Sequence, residues 1–185
     1  KGEIYMAISY RKLRKLLKQY QIQMQILKKE TGISHTTLAK INKDEYIQLN
    51  KLESICEYLE KITNKKIDKY LSTLPKRVQT KWKYKDYVIF IPKSLDEVKK
   101  ESETLKHCLY SSKDIYLKNM IQRKNIILFL RKQNKIEDPF FTIEIKGDSI
   151  QQVRTYQNET SSKISKVVNE WFDDHRYDVL QVYSL

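Results

Sequence analysis

The stretch ETGISHTTLAKINKDE, residues 30–45, restricts what this chain can fold into more than any other. The whole sequence has only 3 glycines in 185 residues. A glycine at position 32 therefore suggests a backbone requirement, usually the left-handed conformation that ends a helix. Ser34 is suited to begin the next helix, because its hydroxyl can accept from an unpaired amide of the new first turn. The pattern predicts two helices joined by a tight turn, which is a helix-turn-helix.

Apolar residues at helical spacing extend this helical pattern over the first part of the chain. We expect an all-α helix-turn-helix bundle of five helices over residues 6–73, ended by Pro75. Cys56 lies in phase with the apolar residues of the fourth helix, so we expect it in the core. The expected helices cover residues 9–20, 23–30 and 34–42, a stretch that begins near residue 49, and a short stretch near residue 70.

The pattern changes after a basic segment, residues 74–86, which we interpret as a charged, solvated linker. Because Trp82 and Tyr84 alternate with lysines there, the segment could instead lie along a phosphate backbone or pack on either domain. Beyond it, DYVIFIPKS and NIILFLRK predict strands, and PFFTIEIKGDSIQQVRTY predicts a hairpin that turns at Gly147. The intervening residues 94–123 read as helical. We expect residues 87–185 to form an α+β domain with helices packed against one face of an antiparallel sheet.

Positive charge is concentrated in the first part of the chain. The formal net charge is +13, from 36 Lys and Arg against 23 Asp and Glu. Residues 1–72 carry 15 basic and 8 acidic side chains, whereas the last hundred residues carry 16 and 15. A basic module of this kind suits a polyanion, with nucleic acid first and an anionic membrane surface second.

Other classes of protein are disfavoured by what the sequence lacks. The longest apolar runs, YVIFI and IILFL, are far shorter than the ~20 residues that span a bilayer, and no signal-peptide core is found. Cys56 and Cys108 have no second cysteine at metal-site spacing. We expect a cytoplasmic protein with reduced thiols, without a metal or cofactor and with no membrane association. Met6 fits a native start, so residues 1–5 are expected to be an addition or part of a longer product.

The N-terminal motifs MAISYRKLRKLL, TGISHTTLAK and LESICEYL resemble the Cro/repressor-like (XRE-type) helix-turn-helix regulators of Gram-positive bacteria, their phages and plasmids. The resemblance covers residues 6–72, with a short insertion near residues 63–66. It implies that the second helix of the motif enters the major groove of DNA. Met24 stands where that family usually has glutamine, which leaves the phosphate contact there open. The candidate DNA-binding residues are Gln23, Gln25, Ser34, His35, Thr36, Thr37 and Lys40.

The side chains of the second motif helix suit base readout. Lys40 can donate to O6 and N7 of guanine, and Thr36 and Thr37 can bond bases or contact a thymine methyl. His35 can bond a base or a phosphate. The plainer alternative is that the threonines are ordinary first-turn residues and that the histidine is merely solvated. Because one motif reads one half-site, we expect a homodimer on an inverted-repeat operator in double-stranded DNA.

The second half resembles the PcfJ-like domain of conjugative plasmids and phages, from about residue 92 to residue 171. This resemblance implies a related fold and carries no established activity. Two departures are a longer spacing between Cys108 and Tyr116 and a threonine, Thr155, where that family favours glycine. The matching residues are LKHC (105–108), Tyr116, IILFLR (126–131), PFFTIEI (139–145), Gln152, Arg154, Asn158 and Trp171.

The hairpin predicts a polar face on the sheet. If its loop is residues 147–149, Glu144 lies opposite Gln152 and Thr142 opposite Arg154, and all four side chains share one face. Glu144 is then expected to pair with Arg154. This face is either a hydrogen-bonded network that fixes the fold or a binding site for a peptide or nucleotide. The candidate polar site comprises His107, Cys108, Tyr116, Glu144, Gln152, Arg154 and Asn158.

No residue is assigned a catalytic role. Catalysis by Cys108 with His107 is disfavoured, because adjacent residues of a helix diverge by ~100°. Three functions follow from the sequence. The first is a DNA-binding transcriptional regulator, an autorepressor of a phage or plasmid whose C-terminal domain binds a protein partner. The second is an anti-CRISPR inhibitor of a CRISPR nuclease that represses its own promoter. The third, a nucleic-acid-processing enzyme, lacks a carboxylate metal site or an oriented nucleophile and base.

Overall fold

A computed structural model describes residues 8–185 of the chain. The expectations for Met6 and for residues 1–5 therefore concern positions outside the described residues. The chain divides into two compact units, residues 1–62 and residues 63–185. Within the described part, no helix is both long enough and apolar enough to cross a membrane.

The first unit is built from helices. They are α1 (Arg11–Gln19), α2 (Met24–Thr31), α3 (His35–Asn42) and the first part of α4 (Leu49–Thr73). The prediction of separate fourth and fifth helices is wrong, because α4 is one helix of 25 residues that continues into the second unit. The expected insertion, residues 63–66, contains neither glycine nor proline, so nothing in the local sequence stops the helical hydrogen bonding.

The turn between α2 and α3 has the predicted conformation. Gly32 ends α2 with φ of 67°, in the left-handed region. Ser34 is extended and its Oγ accepts from the amide of Thr37 at 3.2 Å, which caps α3. Ile33, between them, is 1% exposed and anchors the turn in the core of the unit. The expected helix end and helix cap are thus both confirmed.

The core of the first unit gathers the inward residues of all four helices. Ile55 and Leu59 of α4 contribute to it, four residues apart on one side of the helix. Cys56 is exposed, so its expected burial is wrong. It directly follows Ile55, and one helical step of ~100° turns its side chain away from the buried stripe. The buried residues of this core are Tyr10, Leu13, Leu17, Leu27, Ile33, Leu38, Ile41, Ile47, Ile55 and Leu59.

The second unit is an α+β arrangement around an antiparallel sheet of five strands in the order β1-β2-β3-β4-β5. A hairpin of β1 and β2 is followed by two helices, three further strands and a long C-terminal helix. Its elements are β1 (Lys81–Tyr84), β2 (Tyr87–Phe90), α5 (Leu95–Leu105), α6 (Lys113–Ile121), β3 (Ile126–Lys132), β4 (Phe141–Lys146), β5 (Ser149–Arg154) and α7 (Ser162–Leu180), with short 3-10 turns at Leu74–Lys76, Tyr156–Asn158 and Gln181–Ser184.

Residues 74–86 are not a linker. They contain β1, whose residues alternate between solvent and core: the lysines at 81 and 83 are exposed, whereas Trp82 is 2% exposed. Lysines on an edge strand are common, because they discourage pairing with a second chain. The basic composition that suggested a linker therefore reflects the outer face of an edge strand, while the interleaved tryptophan is part of the core.

Helices cover both faces of the sheet, rather than one face as expected. On one face, Trp82 packs edge-to-face on Trp171 of α7, with ring centroids 5.6 Å apart. On the opposite face, Arg131 of β3 forms an ion pair with Glu101 of α5. Because β3 is covered on both sides, its residues 126–130 are all buried. This explains why the strand reads as a continuous apolar run.

The register of the β4–β5 hairpin is confirmed at the polar positions. Thr142 pairs with Arg154 and Glu144 pairs with Gln152. The loop, however, is two residues rather than three, because Lys146 pairs with Ser149. The extra residue is taken up by an irregularity next to Glu144, which restores the predicted alternation.

Candidate nucleic-acid interface and polar cleft

The solvent-facing side of α3 is polar and basic. Leu38 and Ile41 point into the core, at 4% and 0% exposure. His35, Thr36 and Lys40 are exposed, and Thr37 is half-buried. Thr36 and Lys40 are four residues apart, so they lie on one side of the helix. Lys43, which sequence reasoning missed, caps the C-terminal end of the helix and continues the same stripe three residues later.

Three hydroxyl groups cluster at the N-terminus of α3. Ser34 Oγ lies 2.7 Å from the hydroxyl of Thr36 and 3.0 Å from that of Thr37. Because this oxygen also accepts from the amide of Thr37, Ser34 has a structural role as the N-cap of α3. The cluster faces solvent, and its hydrogen bonds hold the two threonine side chains in place.

The N-terminus of α2 carries the remaining candidates. Gln23 occupies the N-cap position and makes no side-chain capping bond there. Gln25 follows in the first turn, and both glutamines are exposed, while Met24 between them is half-buried. The two amide groups are therefore exposed at the N-terminal end of α2, the end opposite the α2–α3 turn.

A side-chain clamp ties the start of α1 to the end of α3. Arg14 donates to both carboxylate oxygens of Asp44, at 2.9 and 3.0 Å, and to the carbonyl of Ile41 at 2.6 Å. The amide of Tyr10 donates to Asp44 as well. These bonds, first that from Arg14, lower the pKa of Asp44, and the carboxylate raises the pKa of Arg14 in turn. These bonds hold the C-terminal end of α3 and do not involve the side chains of its first turn.

Electrostatics in this unit favour an anion. The first turns of α1, α2 and α3 contain no acidic residue, although acids are usually enriched there. The N-terminal partial positive charges are thus not neutralised within these helices. The exposed side of α1 adds four basic side chains, those of Arg11, Lys12, Lys15 and Lys18.

The second unit contains a polar cleft between the sheet and the segment that joins α5 to α6. Strands β4 and β5 supply one wall, and residues 107–109 with Tyr116 supply the other. All seven side chains of the predicted polar site line this cleft, together with Leu109, Ile127 and Thr142. Its volume is about 40 Å³, which is room for a few water molecules.

A buried hydrogen-bonded chain supports one end of the cleft. Arg131 donates to both carboxylate oxygens of Glu101, which is fully buried. Burial raises the pKa of Glu101, and the guanidinium offsets part of that increase. The hydroxyl of Thr142 donates its single proton to Glu101 at 3.0 Å, so His107 Nε2, at 2.9 Å, must donate to the hydroxyl oxygen. Burial also lowers the pKa of His107, which keeps the imidazole neutral.

Glu144 and Arg154 do not pair, contrary to expectation. The carboxylate of Glu144 accepts from the side-chain amide of Asn125 at 2.8 Å and from that of Gln152 at 2.7 Å. Arg154 donates instead to the backbone carbonyl of Asn158 at 3.3 Å. The partners differ because Asn125, just before β3, reaches the carboxylate from the start of the strand next to β4, which the hairpin register alone does not reveal.

His107 and Cys108 lie outside any helix, so the expectation that they diverge as adjacent residues of a helix is wrong. Helix α5 ends at Leu105, and Lys106 follows in the left-handed conformation with φ of 50°. His107 Nε2 is bound to Thr142, whereas Cys108 is exposed in the cleft. Burial raises the pKa of Tyr116, and the neighbouring Cys108 thiol adds to the increase.

Three buried residues of this region were missed by sequence reasoning, namely Glu101, Asn125 and Arg131. Glu101 gave a signal, since it lies three residues after Val98 and four before Leu105 on the buried side of α5. A charge at such a position requires a partner. Among residues 8–185, no three His, Cys, Asp or Glu side chains come together in a group that could hold a metal ion.

Comparison with known proteins places most of the chain in one family. Residues 10–168 match the PcfJ-like protein family. The chain belongs to this family. The match begins at the residue before α1, so the family covers the helical unit as well as the sheet. The expectation of a PcfJ-like domain confined to the C-terminal part is therefore too narrow.

A Listeria innocua protein described only as uncharacterized is 30% identical to this chain over 87 residues. The aligned part is 46% of this chain and 19% of that protein, so the chain spans about a fifth of its length. No solved structure matches the chain. The PcfJ-like family relationship and this relative assign no activity to the chain.

Proposed function

We propose that this PcfJ-like protein binds duplex DNA sequence-specifically through α3 and acts as a transcriptional regulator. The observation that carries the proposal is the exposed stripe of Thr36, Lys40 and Lys43 on a helix held by a left-handed glycine turn and a serine cap. A short helix presented in this way after a tight turn is the geometry with which helix-turn-helix proteins enter the major groove.

The charge distribution supports a duplex partner. Lys40 and Lys43 extend from α3, and the exposed lysines and arginine of α1 supply further contacts to phosphates. Such contacts provide affinity without sequence information, whereas the side chains on α3 provide the readout. Thr36 and Lys40 are one helical turn apart and can therefore reach neighbouring base edges.

Specific recognition in this proposal uses two copies of the chain on an inverted repeat. One α3 helix reads one half-site, and two half-sites on the same side of the duplex are centred about one turn (~34 Å) apart. Repression of its own promoter is the simplest regulatory role for such a protein. This role places the protein in the cytoplasm, where the exposed thiols of Cys56 and Cys108 stay reduced.

The experiment is an affinity selection of the full chain against a random duplex library, followed by titration of the selected and scrambled sequences at fixed salt. We expect Lys40→Ala and Thr36→Ala each to reduce the discrimination between the two duplexes by ~1–3 kcal/mol. Lys163→Ala, which removes an exposed lysine of α7, is the matched control and should leave discrimination unchanged. Equal affinity of the wild-type protein for selected and scrambled duplexes would refute the proposal.

A further inference from the structure

We propose that the polar cleft of the second unit binds a small zwitterion, namely a free α-amino acid, between Glu144 and Arg154. The ammonium group lies against the carboxylate of Glu144, and the ligand carboxylate lies against the guanidinium of Arg154. This inference concerns the second unit alone and stands independently of DNA binding by α3.

The first support is a pair of opposite charges that the fold keeps apart. Glu144 is half-buried and bound by two neutral amides, those of Asn125 and Gln152. Within residues 8–185, neither Glu144 nor Arg154 has an oppositely charged side chain within salt-bridge distance. A half-buried charge without a counter-charge is costly, and a ligand that brings both counter-charges relieves both costs at once.

The second support is the spacing of these two charges. Glu144 faces Gln152 in the ladder, so Arg154 occupies the diagonal position two residues further along β5. Diagonal neighbours of this kind are ~7–8 Å apart, within reach of long side chains, so the side chains of Glu144 and Arg154 can close on one small group between them. An α-amino acid has its ammonium and carboxylate on the same carbon and matches a site of this length.

The third support is the size and lining of the cleft. The cleft, about 40 Å³ in volume, has room for a few water-sized groups, which suits a ligand with a small charged headgroup better than a nucleotide. Leu109 and Ile127 supply apolar contacts, and the hydroxyl of Tyr116 lies beside the thiol of Cys108. Each carboxylate oxygen of Glu144 accepts one amide bond, and a carboxylate oxygen has a second lone pair for an ammonium.

The buried chain behind the cleft keeps this arrangement in place. Thr142, which faces Arg154 in the ladder, is fixed by Glu101 on one side and His107 on the other. The neutral imidazole adds no positive charge that would repel an ammonium. Glu144 is therefore the acid that faces the ligand, whereas Glu101 is neutralised by Arg131.

The experiment is a titration of the full chain, followed by two-dimensional amide NMR, with glycine, L-alanine and L-glutamate. Ethylamine and propionate are the single-charge analogues, and AMP represents a nucleotide. We expect saturable shifts of amides in residues 107–116 and 152–158 with the amino acids. Each single-charge analogue should bind about tenfold more weakly or worse, because it loses one charge-assisted contact.

Two variants and a control assign the contacts. Arg154→Gln leaves the hydrogen bonds of Glu144 intact and should weaken L-alanine binding by about tenfold or more. Glu144→Gln removes the negative charge that faces the ammonium and should weaken L-alanine binding by a similar factor. Lys163→Gln on α7 is the control and should bind as wild type does. Three results would overturn the proposal: no saturable shift with any amino acid, which leaves the cleft a structural network; equal binding of propionate and L-alanine, which makes it a plain anion site; or binding of AMP alone.

Discussion

The ion pair between Glu101 and Arg131 offers a sharp test of how the second unit is held together. Glu101 and Arg131 are 0% and 5% exposed, and within residues 8–185 the carboxylate has only Arg131 and Thr142 as hydrogen-bond donors. Arg131→Met keeps most of the apolar volume of the arginine stem but removes the charge. The carboxylate of Glu101 then remains buried without a counter-charge, and it takes up a proton rather than stay ionised.

The loss of unfolding free energy in this variant is set by the free energy of protonating Glu101. A glutamate with a usual pKa near 4.3 requires about 4 kcal/mol to be protonated at pH 7, but only about 1 kcal/mol at pH 5. The first figure lies within the ~3–5 kcal/mol typical of breaking one side of a buried pair. In the variant, burial holds the pKa of Glu101 above its unfolded value, so the folded state binds more protons. Stability therefore falls as pH rises from about 5 to 7.

The assay is urea unfolding followed by tryptophan fluorescence at both pH values. Both tryptophans of the chain, Trp82 and Trp171, are buried in the second unit, so the signal reports that unit. Arg176→Met, at an exposed arginine with a surface partner, is the matched control and should cost less than about 1 kcal/mol.

A double variant provides the second control. Glu101→Leu combined with Arg131→Met removes both charges, so it should be more stable than Arg131→Met alone and show little dependence on pH. A loss of unfolding free energy in Arg131→Met of less than about 1 kcal/mol at pH 7, or an equal loss at pH 5, would contradict this role of the ion pair.

Three further predictions concern single positions. Gly32→Ala should destabilise the first unit by about 1 kcal/mol, measured by far-ultraviolet circular dichroism, because the new methyl group meets open space and only the left-handed backbone is penalised. In the wild-type protein, the Tyr10 amide should lose its protection from hydrogen exchange at acid pH, and Asp44→Asn should remove this pH dependence. Because the pKa of Asp44 is lowered, the stabilisation by its carboxylate is present above about pH 4 and is lost as pH falls through the folded pKa. An alkaline absorbance titration should show Tyr183 ionising at about 12, because burial raises its pKa, and Tyr183→Phe should remove that step.

Local signals in the sequence were sufficient for the turn of the first unit. Gly32 and Ser34 act on their own backbone neighbours, so their roles follow from residue type and position. The limits of the local signals appear in α4, where apolar phase alone suggested a break that the backbone does not contain. Cys56 shows the same limit, because one residue of phase separates a buried position from an exposed one.

The polar cleft was predicted in composition but not in its bonding. Strand alternation and the hairpin turn place Thr142, Glu144, Gln152 and Arg154 on one face whatever surrounds them, and the register is confirmed. The hydrogen-bond partners of these side chains depend on residues outside the hairpin. Asn125 reaches Glu144 from the start of the adjacent strand.

The sequence by itself determined the elements whose signals lie within a few residues: the α2–α3 turn, the helix cap, the strand pattern and the polar face of the hairpin. Only the tertiary structure decided the partners that lie far apart along the chain. Glu101 meets Arg131 thirty positions later, and Trp82, in an apparent linker, meets Trp171 in the core. Local backbone geometry depends on neighbouring residues, whereas burial and charge pairing depend on which distant segments pack together.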